Sequence, residues 1–145
     1  MYKHILLPTD GSDFALKAVE QGLKLAKILG ARATAVYVTE PWAVQAPAEL
    51  AIGFPLEEYE RIVVANAKTV LATVDAIAKR EGVDCTYLHI KDHYPAEGII
   101  KAAKDEDCDL IVMASHGRRG ISRMLIGSQA NKVVALSSVP VLIYR

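Results

Sequence analysis

The sequence predicts an α/β fold: one doubly wound domain, residues 1–145, with a five-stranded parallel sheet of strand order 3-2-1-4-5 and helices on both faces. The first observation is that five short apolar runs alternate with helical patterns, as in parallel sheets joined by crossover helices. The second is the run Asp109–Ala114, which is apolar on both faces like a central parallel strand. The third is the length of 145 residues, which suits one ordinary domain.

The first strand and the first helix are predicted from an apolar run and a helical period. His4–Leu7 is the run, and it ends at Pro8. Phe14–Leu29 repeats apolar side chains at spacings of three and four, which indicates an amphipathic helix. Ser12 or Asp13 can cap its start, and the glycine that follows it can end it in the left-handed conformation.

The middle of the chain joins a second strand to a long helix. Ala33–Val38 is the strand, and Thr39–Pro55 is an irregular segment with three prolines and the only tryptophan. Segments of this length are usually functional. Trp42 is interpreted as an anchor for the segment, with stacking near a bound base as the alternative. From Leu56 the three-four rhythm continues for six turns, until Gly82 ends the helix.

The last part of the chain is predicted to hold three strands and two helices. The expected elements, in order, are the strand Val83–Ile90, the helix Pro95–Ala103, the strand Asp109–Ala114, the helix Ser128–Leu136 and the strand Val139–Tyr144. Proline suits the first turn of a helix, which places the helix start at Pro95.

Composition and charge exclude several classes of protein. Hydrophobic residues make up 52% of the chain, and 17 basic residues balance 17 acidic ones. A protein that binds a phosphate backbone shows a basic excess, so we expect no nucleic acid partner. The two cysteines show no metal-ligand spacing, and no apolar run reaches the ~18 residues of a membrane span. The apolar stretch near the N-terminus is too short for a secretory signal, so we expect a cytoplasmic protein.

Unusual residues follow three of the predicted strands, at the edge of the sheet where doubly wound folds bind ligands. Pro8–Ser12 follows the first strand and Val38–Pro41 includes the end of the second. Ala114–Gly120 follows the fourth, and Gly127-Ser128 then begins the last helix. Free N–H groups at a helix start favour phosphate, and Arg118, Arg119 and Arg123 add positive charge nearby.

Two interpretations of this segment remain open from spacing alone. In the first, Gly117 takes a positive φ and lets a ligand approach the backbone, while Ser128 donates a hydroxyl to phosphate. In the second, Gly117 and Gly120 only make a turn, and Ser128 only caps a helix.

The run ASHGRRGISRMLIGS resembles the nucleotide loop of the universal stress protein family. The family pattern is glycine, two residues, glycine, nine residues, glycine and then serine or threonine. Its slots fall here on Ala114, Gly117, Gly127 and Ser128, so alanine stands in one glycine slot. The opening KHILLPTDGS and the closing VPVLIYR are similar to the first and last strands of that family. The resemblance implies a dimeric stress-response regulator that binds ATP, with or without Mg²⁺, and uses it as a switch or scaffold.

The resemblance also implies a role for each residue of the pocket. Asp10 would meet the ribose or the adenine edge, and Val38 would offer backbone groups to adenine. Ala114 and Gly117 would line the ribose and phosphates, with the alanine methyl close to the ribose. The expected nucleotide-binding residues, which all lie at strand ends or at the last helix start, are Pro8, Thr9, Asp10, Val38, Ala114, Gly117, Gly127, Ser128 and Gln129.

Other nucleotide-dependent functions lack their motifs. A dinucleotide-dependent oxidoreductase would need GxGxxG directly after the first strand, where the sequence reads LPTDGS. A P-loop with its lysine is absent, and a phospho-accepting receiver domain would need more acids than Asp10. Three functions stay open: an ATP-binding regulator, a slow ATP hydrolase, and a dimeric scaffold that has lost nucleotide binding. No base that would align water is evident, so catalysis is expected to be absent or slow.

The remaining expectations concern the histidines and the last strand. His116 is expected to be solvated, with orientation of a phosphate as the alternative. The other three histidines are expected to be structural because none has metal-ligand spacing. The strand Val139–Tyr144 includes Pro140, which is typical of a sheet edge, yet it is apolar on both faces. Antiparallel pairing with the same strand of a second copy would satisfy both observations. The alternative is that helices cover both faces and the edge meets solvent.

Overall fold

The computed structural model describes residues 1–45, 53, 55–118 and 126–145. Its elements are, in chain order, β1 His4–Pro8, α1 Asp13–Leu29, β2 Arg32–Val38, α2 Trp42–Gln45, α3 Leu56–Glu81, β3 Cys85–Ile90, α4 Pro95–Asp105, β4 Leu110–Ala114, α5 Ser128–Leu136 and β5 Val141–Tyr144. The five strands form one parallel sheet in the order β3-β2-β1-β4-β5. The predicted fold class and strand order are confirmed.

The core lies on both faces of the sheet, because successive residues of a strand point to opposite sides. Leu7 of β1 packs with Val19 and other apolar residues of α1 and α3. Leu6, its neighbour, packs with Ile99 of α4 and Val133 of α5. Every residue of β1 and β4 is buried, which explains why both strands read as continuous apolar runs.

The helix ends follow the predicted capping residues. The Ser12 side chain accepts a hydrogen bond from the Ala15 N–H at the start of α1. Gly30 and Gly82 end α1 and α3 with φ of 64° and 71°, the left-handed conformation that glycine adopts most readily. The predicted ends of both helices are therefore confirmed.

Two predicted strands begin two residues later than the apolar pattern indicates, and the strand predicted from Asp109 begins one residue later, at Leu110. The third strand begins at Cys85 because the Val83 N–H is occupied by the Ala78 carbonyl in the cap of α3. The fifth begins at Val141 because Ser137 Oγ donates to the Val139 carbonyl and accepts from the Val139 N–H. In both places a local hydrogen bond competes with the ladder of the sheet.

The segment expected to be irregular contains a short helix, α2, directly after Pro41. Residues 46–52 and 54 of that segment lie outside the described residues, as do residues 119–125, which include Arg119, Gly120 and Arg123. Among the helices that the structure describes, none is long and apolar enough to cross a membrane.

Candidate functional site

A cleft of about 490 Å³ lies beyond the carboxyl ends of β1, β2 and β4. The order of the sheet reverses between β1 and β4, which is where doubly wound sheets bind their ligands. The structure brings all nine expected site residues to this cleft, namely Pro8, Thr9, Asp10, Val38, Ala114, Gly117, Gly127, Ser128 and Gln129.

The turn after β1 forms one wall of the cleft. Thr9 is buried, and its N–H donates to the Val36 carbonyl at 3.0 Å, which extends the β1–β2 ladder by one residue. Its hydroxyl accepts from the Gly11 N–H at 3.1 Å. Asp10 Oδ1 accepts from the Ser12 N–H at 2.9 Å. These bonds fold the chain from β1 into the start of α1 and leave the second oxygen of Asp10 facing β4.

Gly117 does not have a positive φ, so the expectation of a positive φ is wrong. What distinguishes this position is close packing against Asp10. Among the described glycines only Gly11, Gly30 and Gly82 have a positive φ. A Cβ at position 117 would lie 2.5 Å from Asp10 Oδ2, so a side chain here would displace the Asp10 carboxylate. The same oxygen accepts from the Arg118 N–H at 2.6 Å.

The start of α5 is joined to the end of β4 through Ser115. The Ser115 carbonyl accepts from the Gly127 N–H at 2.7 Å, and its own N–H donates to the Tyr144 carbonyl of β5. A Cβ at Gly127 would lie 2.9 Å from the Ser115 carbonyl oxygen. Glycine is therefore needed here because two backbone segments touch.

The N-terminus of α5 has the features of an anion site. Its N-cap is Gly127, which has no capping side chain, and its first turn holds no acidic residue. Ser128 is exposed at the first helical position and lines the cleft. The N–H groups of a first turn have no partner within the helix, and the helix dipole adds positive potential there. Arg118 also lines the cleft.

Gln129 has a role that the sequence did not predict. Its Oε1 accepts from the Ala96 N–H in the first turn of α4, at 3.2 Å. The side chain therefore caps a neighbouring helix while it lines the cleft. Its amide nitrogen is the group that could still donate to a ligand.

The end of β2 offers backbone groups to the opposite end of the cleft. The N–H and C=O of one strand residue point to the same side, and the next residue points to the other side. Because the Val36 carbonyl faces β1, the N–H and C=O of Val38 also face that side, beyond the last residue of β1. A Cβ at Gly98 of α4 would lie 2.6 Å from Val38 Cγ1, so this glycine lets α4 pack directly on Val38.

The Ala114 methyl group packs on α1. It contacts the cluster formed with Ala15 and Ala18, and the residue is 8% exposed. Most of the surface of this residue is therefore occupied by protein contacts.

The sequence did not predict the wall that α3 supplies. Tyr59, Ile62, Val63 and Asn66 line the cleft along one side of this helix. The Tyr59 hydroxyl donates to the Glu40 carbonyl at 2.8 Å, and burial raises the pKa of that hydroxyl. The Trp42 ring lies 4.6 Å from the Tyr59 ring, which matches the interpretation of Trp42 as an anchor. The spacing of apolar residues by three and four identified the apolar side of α3, but it did not show that part of this helix lines the cleft.

The histidines divide into two groups. His4 Nε2 bonds Thr34 Oγ1 at 2.7 Å and His89 Nε2 bonds Thr39 Oγ1 at 2.9 Å, so these two are structural as predicted. The expectation that His116 is solvated is wrong. Its Nδ1 bonds Ser115 Oγ at 2.9 Å, and its Nε2 is buried without a hydrogen-bond partner among the described residues. No group of metal-ligating side chains forms in the part of the chain that the structure describes.

The family model described as universal stress protein family matches residues 1–145. The chain belongs to the universal stress protein family. A universal stress protein of Thermus aquaticus is 37% identical over 145 residues, with all of both chains covered. One of Methanocaldococcus jannaschii is 33% identical over 147 residues, covering all of this chain and 83% of the relative.

Solved structures of other universal stress proteins have the same fold. UspA from Lactobacillus plantarum superposes with a TM-score of 0.83 at 28% identity, covering 99% of this chain and 98% of that one. A universal stress protein in complex with cAMP has a TM-score of 0.72 at 24% identity, with 99% and 97% covered. One from Archaeoglobus fulgidus in complex with dAMP has a TM-score of 0.70 at 20% identity, with 99% and 98% covered.

Proposed function

We propose that this universal stress protein binds ATP in the cleft beyond β1, β2 and β4 and acts as a nucleotide-dependent regulator of a stress response. One observation carries the proposal: a helix start without a capping side chain, with the exposed Ser128 at its first position, lines the same cleft as Val38, whose backbone N–H and C=O face the β1 side. The first feature suits phosphate, and the second suits a base. Two proteins of this fold hold adenine nucleotides, cAMP and dAMP, which agrees with this choice of ligand.

The phosphate end of ATP fits the start of α5. The donors at this end of the cleft are the N–H groups of the first turn and the Ser128 hydroxyl, and Arg118 also lines the cleft. Anions bind at helix starts because these donors converge there and the dipole is favourable. Mg²⁺ would enter with the phosphates, since this ion is usually held by a few protein groups together with substrate phosphate oxygens.

The adenine end fits the backbone of Val38. An N–H beside a C=O matches an adenine edge, which presents an acceptor at N1 and a donor at N6. Guanine presents the reverse pattern, a donor at N1 and an acceptor at O6, and would leave polar groups unpaired. A site built on hydrogen bonds rejects such a mismatch strongly, so we expect weak binding of GTP.

The proposed activity is regulation, with hydrolysis absent or slow. The chain lacks the P-loop lysine that pairs with phosphates in rapid NTPases. Asp10, one acid of the cleft, already accepts two backbone N–H groups. A slow hydrolase is the second candidate function, and a scaffold that has lost nucleotide is the third. A cytoplasmic site of action is part of the proposal, supported by the unpaired thiols of Cys85 and Cys108.

The direct experiment identifies the bound molecule. The protein is purified under mild conditions and denatured, and the released nucleotide is identified by chromatography. Recovery of ATP supports the proposal. Recovery of no nucleotide, together with no ATP binding in calorimetry, favours the scaffold.

The matched experiment uses Ser128→Ala. Losing one hydrogen bond to a charged group costs about 1.5–3 kcal/mol, so ATP affinity should fall roughly ten-fold or more. Ser138→Ala removes the same hydroxyl from an exposed position beyond the other end of α5 and should leave ATP affinity unchanged. Unchanged affinity in Ser128→Ala would remove this serine from the site.

A further inference from the structure

The strand β3 forms one edge of the sheet, with β2 on its inner side. The Ala33 N–H of β2 donates to the Asp84 carbonyl, so the even-numbered residues of β3 direct their backbone groups toward β2. The N–H and C=O groups of Cys85, Tyr87 and His89 therefore point away from the sheet. Among the strands that the structure describes, none pairs with β3 on this outer side.

This edge lacks the features that usually prevent an edge strand from pairing. Such strands are commonly protected by charged residues, proline, bulges or short length. The six residues of β3 read CTYLHI, without proline and without Lys, Arg, Asp or Glu. Their register with β2 continues without a bulge, and the strand is longer than β5, the other edge, which has four residues. The β3 edge is therefore suited to accept another strand.

A groove of about 450 Å³ lies between α3 and β3, beside this edge. The helix lines it with apolar side chains that include Val64, Leu71 and Ala72. The strand lines it with Tyr87 and His89, two of the residues whose backbone groups point outward. A chain that paired with β3 would therefore run along the groove and could place a side chain in it.

Two hydrogen bonds hold the β3 side of the groove in place. The Tyr87 hydroxyl donates to Asp75 Oδ1 of α3 at 2.9 Å, and His89 Nε2 bonds Thr39 Oγ1 at 2.9 Å. These side chains are therefore already ordered before anything binds. Binding to ordered groups costs less conformational entropy, so the groove is prepared for a ligand.

One end of the groove carries unpaired positive charge. Lys68 and Lys91 line the groove, and neither has an ion pair among the described residues. Asp75, the acid in the lining, already accepts from Tyr87 and pairs with Lys79 at 2.7 Å. Because α3 joins two parallel strands, it runs opposite to β3, and Lys68 lies about 10 Å from Asp75 along the helix, toward Lys91. The two lysines therefore lie toward the carboxyl end of β3.

We propose that the β3 edge and this groove bind an extended segment of a partner protein, which adds a strand to the sheet. The segment places an apolar side chain in the groove and an acidic side chain beside Lys68 and Lys91. Peptide recognition by strand addition divides its work in this way, since the main chain gives affinity and pockets for alternate side chains give specificity. A second copy of this chain, paired through the same strand, would offer no carboxylate, because β3 contains no acidic residue.

A displayed library of random octapeptides tests the site without any nucleotide. Selection on the wild-type chain, with Ala72→Phe for counter-selection, should enrich sequences that alternate apolar and polar residues and carry Asp or Glu near one end. Ala72 is exposed and lines the groove, so phenylalanine there fills the groove and leaves the core intact. Ala76→Phe, exposed on the same helix but outside the groove lining, is the matched control and should bind the selected peptides like the wild type. If no sequence binds the wild type better than Ala72→Phe, the proposal fails.

Charge reversal tests the acidic side chain of the segment. In calorimetry with a selected peptide, the double variant Lys68→Glu/Lys91→Glu should bind about ten-fold more weakly, because two favourable ion pairs become repulsive. Replacing the acid of the peptide with its amide should remove most of this difference between variant and wild type. Lys17→Glu/Lys104→Glu adds the same charge at exposed positions of α1 and α4 and should bind like the wild type. An equal loss in both double variants would reduce the effect to net charge and contradict the assignment.

The backbone amides of β3 show whether the segment adds a strand. In hydrogen exchange followed by NMR, the Tyr87 and His89 N–H groups should exchange rapidly in the free protein and slowly in the peptide complex. The Leu88 N–H faces β2 and should be protected in both states, which makes it the internal control. Peptide binding that leaves Tyr87 and His89 in rapid exchange would rule out strand addition. Protection of both in the free protein would show that a second copy or another part of the chain already occupies the edge, and would equally overturn the proposal.

Discussion

At three positions in or beside the cleft, the need for glycine is explained by an atom that lies too close to the place where a Cβ would be. At Gly98 it is a methyl group of Val38, at Gly117 the Asp10 carboxylate and at Gly127 the Ser115 carbonyl. Each marks a place where two segments approach more closely than side chains allow. The motif in the sequence identified two of these positions, but the reason for glycine at each depends on a partner distant in sequence.

Gly98→Ala should therefore weaken binding at the proposed base end of the site. The new methyl would force Val38 away from α4, so affinities for adenosine and ATP should fall together, by several-fold, in calorimetry. Overpacking of this kind should also lower the free energy of unfolding by about 1–3 kcal/mol. Gly53→Ala places a methyl group that no described residue approaches within 4 Å, and it is the control. A loss for ATP alone would contradict the assignment of this end to the base.

Two histidines, the buried His4 and the half-buried His89, should make the stability of the protein depend on pH. Burial lowers the pKa of His4 and of His89, and Arg32 and Lys91 respectively lower it further. In the unfolded chain both titrate near about 6.5, so the unfolded state binds more protons below that pH. Their stabilising contribution is complete above about pH 6.5 and is lost as the pH falls toward the lower pKa values of the folded state.

The free energy of unfolding should accordingly decrease as the pH is lowered from about 7.5 to about 5. His4→Gln retains a polar group that can reach Thr34 but does not titrate. The free energy of unfolding of this variant should therefore depend less steeply on pH than that of the wild type. Urea denaturation at a series of pH values measures both proteins. Equal pH dependence in the variant and the wild type would show that His4 does not contribute.

At the scale of elements, α5 connects the proposed phosphate end of the cleft to α4. The sequence predicted its bounds, because the glycine before it and its apolar spacing are local features. It did not predict the cap that Gln129 gives to α4, since the accepting and donating residues are 33 positions apart. One helix therefore supplies both the proposed phosphate site and a support for its neighbour.

Gln129→Glu should separate these two roles. A carboxylate can still accept from the Ala96 N–H, and negative charge near a helix start stabilises by about 0.3–1 kcal/mol, so thermal stability should be kept or raised. The same charge lies in the first turn of α5 and should repel phosphate, so ATP affinity should fall by roughly five-fold or more. Gln129→Leu removes the cap without adding charge and is the comparison. Wild-type ATP affinity in the glutamate variant would show that the phosphates bind elsewhere.

The difference between local features and contacts distant in sequence explains what the sequence could predict about the fold and the site. Helix ends at Gly30 and Gly82, the strand order and the nine cleft residues follow from local patterns and the motif. The strand starts at Cys85 and Val141 were missed because side-chain and capping bonds compete with the ladder there. The contribution of α3 to the cleft wall was missed. The periodicity of its sequence indicates which side of the helix is apolar but not which part of the protein that side contacts.

At the scale of the whole molecule, the proposed function is binding of ATP with little or no turnover. Enzymes typically turn over at about 1–1000 per second. Because the proposed site offers donors to phosphate without a P-loop lysine, phosphate release should stay far below one per second with saturating Mg²⁺, in a coupled assay. A turnover above about one per second that Ser128→Ala abolishes would establish a hydrolase instead.

The sheet has two edges, β3 and β5, and the second is the proposed dimer contact. The Pro140 and Tyr144 carbonyls face β4, so the N–H and C=O groups of Val141 and Ile143 point to the open edge. Unpaired edges are usually protected, and here Leu142 is 44% exposed beside them. Antiparallel pairing with the same strand of a second copy would satisfy these groups about a two-fold axis.

Light scattering at micromolar concentration should therefore give a mass near twice the 15.7 kDa of one chain. Val141→Asp should separate the dimer, but its side chain packs on the core, so Leu142→Asp is the variant that leaves the core intact. Ile28→Asp places the same charge at an exposed apolar position on α1, away from β5, and should remain dimeric. Circular dichroism verifies that each variant is folded. A wild-type mass near that of one chain would rule out the dimer, and a folded Leu142→Asp that stays dimeric would place the interface away from this edge.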